Sequence, residues 1–127
     1  MNEDKNKKFD LENRLIEFAG LVIEITENLY TIRAGNHITG QLVGSGTAPA
    51  LIYGEAQSAE SRNDFIHKLK ILLKELRETL IAMKIIKNVP LTKEFDLADK
   101  GIIECNEFIA IFVKSIETAR KNNEKRK

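Results

Sequence analysis

Arg62 and His67 stand five positions apart in Arg62-Asn63-Asp64-Phe65-Ile66-His67. An imidazole that moves protons beside a guanidinium that stabilises phosphate charge is the equipment of RNA cleavage. On a regular helix, residues five apart point about 140° away from one another, so the competing reading is two partly exposed helix residues making local contacts. The run Gly40 to Thr47, GQLVGSGT, has the length of a phosphate-binding loop. However, Ser45 stands where the second glycine belongs, Gly46 where the phosphate-reaching lysine belongs, and no strand precedes the run. A helical bundle can hold two metals through repeated Glu-x-x-His pairs. Here Ala34 stands three before His37 and Asp64 three before His67, giving one carboxylate–imidazole pair without a second copy, so neither a metal site nor a cofactor is expected. Ser45 and Thr47 lack an indicated base, and Glu55, Glu75 and Glu78 suit pairing with arginine or helix ends better than acid–base work. No catalytic constellation results, and an enzyme is not expected.

Two other patterns concern binding. Lys70, Lys74, Arg77 and Lys84 recur at steps of four, three and seven, which aligns them as a basic ridge on one helix face, and Arg120 and Lys121 begin a second basic run in the tail. Phosphate contacts by these six would give sequence-tolerant, salt-sensitive binding of RNA or DNA. The competing reading is a solvated face partly neutralised by Glu75 and Glu78. Gly40 and Gly44, and then Gly46, Ala50 and Gly54, recur at steps of four. Each glycine inside a helix costs about 0.5–1 kcal/mol relative to alanine, so something must offset it. Close helix or subunit contact is the simple candidate, which makes these five residues an expected oligomer interface.

The elements that carry these residues follow from composition and period. A chain of 127 residues with 43% hydrophobic side chains supports one domain, and its sparse glycine, proline and aromatics favour helices over a sheet. Leu11, Leu15, Phe18, Val22, Ile25 and Leu29 alternate at four and three behind a candidate cap, Asp10, predicting a helix over about 10–30; Ile16, Ile23 and Tyr30 add a second apolar row beside them. Ile38, Leu42, Ser45, Pro49, Ile52, Ala56 and Ala59 keep one frame, predicting a helix over about 36–59, kinked near Pro49. Ser61 and Asp64 make a capping-box-like start for a helix over 62–88, with Phe65, Leu69, Leu72, Leu76, Leu80 and Met83 inward, and Asn88-Val89-Pro90 ends it. Asp96 is a candidate cap for a last helix over about 97–121, with Ile102, Cys105, Ile109, Phe112, Ile116 and Ala119 inward, before a frayed tail at 122–127. The expected fold is all-α, an antiparallel up-down-up-down four-helix bundle spanning 1–127. The lone Cys105 reads as a small buried hydrophobe. No apolar run reaches membrane-spanning length and the N-terminus is charged, so a cytoplasmic protein without membrane contact is expected.

The segments FDLENRLIEFA, SGT, GEAQSAESRNDFIHKLKI and ECNEFIAIFVKSIETARK resemble the bacterial four helix bundle protein family over nearly the whole chain. That family includes proteins encoded in intervening sequences of large-subunit ribosomal RNA genes and is similar to the accessory variability determinant of diversity-generating retroelements. The resemblance implies an antiparallel four-helix protomer, a homopentamer, no established enzymatic activity, and partners that include nucleic acid or a reverse transcriptase. Relatives read R-S-G-T-S followed by A-N where this chain has Gly44, Ala48 and Ile52, so a charge, a hydroxyl and an amide are replaced by small or apolar groups. The R-x4-H spacing of Arg62 and His67 matches small helical ribonucleases of the HEPN type.

The leading expectation is therefore a non-enzymatic homo-oligomeric scaffold that binds RNA or DNA through the ridge. A protein-interaction module that docks another bacterial protein is the alternative, and a ribonuclease using Arg62 and His67 is the third. A net charge of only +1 weakens the nucleic-acid reading relative to strongly basic proteins.

Overall fold

The computed structural model describes residues 3–125 and is all-α. Helix α1 spans Glu3–Glu27, α2 Arg33–Gln57, α3 Arg62–Asn88 and α4 Phe95–Lys125. Short connections force each helix to reverse on its predecessor. Helix α1 packs on α2 and α4, and α3 packs on the same two, while α1 and α3 lie across the diagonal among the described residues. This is the up-down-up-down bundle that the hydrophobic periods imply.

The core lies where the alternating stripes meet. Leu15, Phe18, Val22, Ile25, Leu42, Leu69, Leu72, Leu76, Met83, Cys105 and Phe112 are buried. Phe108, one residue from the expected inward position Ile109, is fully buried and meets the Phe18 ring edge-on at 5.5 Å between centroids. Tyr53 is buried too, edge-on to Phe112 at 6.0 Å. Arg14 ties α1 to α4: its guanidinium donates to Glu104 at 2.8 Å and Glu107 at 2.9 Å, and it lies 4.9 Å over the Phe108 ring. The hydrogen bond to Glu104 is the main reason its pKa rises.

Two expected caps lie elsewhere. Helix α1 begins before Asp10, which is therefore an exposed residue within the helix, and α4 begins at Phe95, which puts Asp96 in its first turn. Ser61 does cap α3, accepting from the Asp64 amide at 3.0 Å, while the Asp64 carboxylate accepts from the Glu60 amide at 3.4 Å. At the opposite end the α1–α2 and α3–α4 connections are stitched together. The Tyr30 amide donates to the Leu91 carbonyl at 2.8 Å, and the Thr92 hydroxyl to the Asn28 carbonyl at 2.8 Å.

Candidate functional site

Small residues on α2 do two different jobs. A methyl group at Gly46 would lie 2.5 Å from Val22 Cγ1 and 2.7 Å from Cγ2, so this glycine permits the close approach of α1 to α2. Its absent side chain is accounted for inside the protomer, without a subunit contact. Ala50 is half-buried against the same core. Gly40, Gly44 and Gly54 are exposed, and a methyl at any of them would meet nothing within 4 Å. No contact within the protomer explains the lack of a side chain at these three.

Gly40 and Gly44, with Ala48, form one wall of an open groove of about 1080 Å³ between α2 and α3. The other wall carries Lys70, Lys74 and Arg77 interleaved with Glu75 and Glu78, with Ile81 and Ile85 beyond them. Ile81 and Ile85 are 55% and 40% exposed, although each lies on a helix whose opposite face is core. Lys84 is exposed one further seven-residue step along the Lys70–Arg77 row. None of these four cations makes an ion pair among the described residues, whereas Lys68 pairs with Glu55 and Lys87 with Asp99. Arg120 and Lys121 are exposed on α4 and do not line the groove.

Where Ser45 lines the groove, the Thr79 hydroxyl lies 2.9 Å from the Ser45 hydroxyl and 2.8 Å from the Glu75 carbonyl. With Thr79 donating to that carbonyl and accepting from Ser45, both buried hydroxyls are hydrogen-bonded. One turn beyond Ser45, α2 continues through Pro49, which has no N–H for the Ser45 carbonyl. The Glu75 carboxyl is raised above the usual carboxylate range, first by burial and then by Glu78, with Lys74 opposing.

The remaining candidates do not converge. The run Gly40 to Thr47 is helical throughout and has no loop amides with which to cradle a phosphate. Arg62 is half-buried and His67 exposed, with no hydrogen bond between them among the described residues; Asp64 is occupied in the α3 cap. No cluster of three or more His, Cys, Asp or Glu side chains suited to a metal occurs among the described residues. The Cys105 thiol is buried, contacts the Leu76 carbonyl at 3.2 Å, and is pushed up to about 12 by desolvation. Among the described residues, no helix is long and apolar enough to cross a membrane.

The chain is similar in structure to a protein of unknown function from the S23 ribosomal protein family of Bacteroides thetaiotaomicron, with a TM-score of 0.75 and 25% identity over 83% of this chain and 96% of that one. No protein-family model and no curated protein matches the chain. The likeness covers most of the chain and fits a helical-bundle family.

Proposed function

We propose that this protein is a non-enzymatic, self-associating scaffold whose working surface is the α2/α3 groove. The observation that carries this reading is the groove itself: side-chain-free glycines on one wall face exposed isoleucines on the other, beside the cations Lys70, Lys74 and Arg77, which make no ion pair among the described residues, and the carboxylates Glu75 and Glu78. Apolar area at the centre of a patch with charge around it is the anatomy of a protein interface. Glycines without a contact in their own chain make room for a partner's side chains. The similarity to the Bacteroides protein supports the bundle scaffold, and the resemblance to ribosomal-RNA intervening-sequence proteins supports assembly, with five copies as the expected number. Light scattering after size-exclusion chromatography tests the reading. An assembled species is expected, and a monomer at all accessible concentrations would remove it.

A second reading is supported by the seven-residue spacing of Lys70, Arg77 and Lys84, all exposed. Such a row can follow a phosphate backbone, so RNA or DNA is the second class of partner. An electrophoretic mobility shift across a salt series is expected to show binding that weakens steeply with salt. No shift at low salt, or a shift unchanged by K70A/K74A/R77A, would exclude it. Enzymatic activity is not proposed, and ribonuclease activity abolished by H67A would contradict that.

A further inference from the structure

The face of α1 that points away from the core has a charge pattern opposite to that of the cation row Lys70, Arg77 and Lys84 on α3. From Asp10 to Glu27, the exposed charged residues are Asp10, Glu12, Glu17, Glu24 and Glu27; the one cation, Arg14, is half-buried and held by Glu104 and Glu107. Asp10, Glu17 and Glu24 recur at seven, about 10.5 Å apart along a helix. Ile16 and Ile23 form a second row with the same step, and they are 56% and 44% exposed. Helix α3 repeats that step in the opposite sign through the exposed Lys70, Arg77 and Lys84; Lys70 and Arg77 line the groove with Lys74, Glu75 and Glu78, and Ile81 and Ile85 are its exposed apolar members. Matched seven-residue rows are the requirement for two helices packing side by side at a shallow angle.

Because α1 and α3 occupy opposite corners of the bundle, the acidic face and the basic groove of one chain cannot reach each other. We infer that the occupant of the α2/α3 groove is the outer face of α1 from a second copy of this chain. Asp10, Glu17 and Glu24 then run along Lys70, Arg77 and Lys84, and Ile16 and Ile23 enter the space left open at Gly40 and Gly44. The two surfaces differ, so the contact is heterologous: each copy offers one face of each kind and assembly proceeds head to tail toward a ring. This rests on the self-association reading and adds which surfaces meet.

The test is charge reversal followed by light scattering, with circular dichroism to verify that each variant is folded. E17K/E24K and K70E/R77E are each expected to weaken self-association by about a hundredfold or more, because like charges then oppose across the seam. The chain carrying all four substitutions is expected to reassemble. An equimolar mixture of I16D/I23D, without a working α1 face, and K70E/R77E, without a working groove, is expected to form a 1:1 dimer that grows no further. If the parent assembles but either reversal leaves its assembly unchanged, or the fourfold chain stays monomeric, the pairing is wrong while self-association stands. If the parent is monomeric, both readings fall. If K70E/R77E abolishes an RNA mobility shift while leaving the oligomer intact, the groove belongs to nucleic acid and the pairing is overturned.

Discussion

Gly44→Ala and Gly46→Ala are the same substitution two residues apart on one helix, and the structure assigns them opposite signs. At Gly44 a methyl group meets nothing within 4 Å. Within the protomer the change therefore removes only the backbone entropy cost of glycine in a helix and should stabilise by about 0.5–1 kcal/mol. At Gly46 the same propensity gain is present, but the methyl falls 2.5 Å and 2.7 Å from the two Val22 methyls and 3.0 Å from Val22 Cβ. Carbon atoms pack best about 3.5–4.0 Å apart, so α1 and α2 must separate by roughly 1 Å. Valine on a helix is stiff at χ1, and a contact reaching its Cβ is not relieved by rotating it. Overpacking of this kind costs about 1–3 kcal/mol. After the propensity gain, a net loss of up to about 2.5 kcal/mol remains, centred on about 1 kcal/mol, or about 3–5 °C in Tm at that centre for a domain of this size. Thermal melts followed by circular dichroism, run at two protein concentrations to expose any contribution from assembly, should show Gly44→Ala above the parent and Gly46→Ala below it. Val22→Ala should rescue part of the second change, with a coupling of about 1 kcal/mol or more. A Gly46→Ala melt equal to or above that of Gly44→Ala would refute the packing of α1 on α2.

Thr79→Val leaves the Ser45 hydroxyl buried without its partner and should cost about 1–3 kcal/mol in chemical denaturation; adding Ser45→Ala should recover part of the loss, and independent, additive losses would contradict the pairing. The raised Glu75 pKa means that the folded chain holds more protons than the unfolded chain in the acidic range. Its contribution to stability is thus present at low pH and is lost as pH rises through the folded pKa. Glu75→Gln should raise Tm at neutral pH and flatten that fall, and an unchanged pH profile would contradict it. With its thiol buried and pushed up to about 12, Cys105 should resist thiol reagents at about pH 8 until the chain unfolds; labelling of the native protein as fast as a free thiol would place it at the surface.

The parts of the fold that were legible from sequence are those with a strong local cause. Ser61 and the Asn88-Val89-Pro90 run mark the ends of α3 because a cap hydrogen bond and a proline act on neighbouring backbone. The start of α1 was not legible, since the helix continues through a polar stretch where no apolar period announces it. Similarly, α4 extends to Lys125, beyond its last apolar residue. Phe108 and Tyr53 sit one residue from positions that the heptad frames select, and such a frame cannot fix which side of a wide stripe turns inward. The same limit applied to the small residues. Gly44 and Gly46 differ by about 200° around the helix, so their rotational placement decided that one faces α1 and the other faces the groove.

A net charge of +1 makes the basic ridge look weak when charge is summed along the chain. The bundle changes the meaning of that sum, because it puts the acids of α1 and the cations of α3 at opposite corners. A near-neutral molecule with its charge divided in this way has little long-range attraction for a uniformly negative polymer, but strong orientation-dependent attraction for another copy of itself. Salt distinguishes the two cases. Binding to nucleic acid loses affinity with a slope set by the number of phosphates neutralised. A seam with isoleucine beneath its ion pairs keeps its apolar contribution when the charges are screened. Self-association that weakens at moderate salt but persists at high salt, and fails outright in I16D/I23D, therefore places the ridge against α1 and not against phosphate.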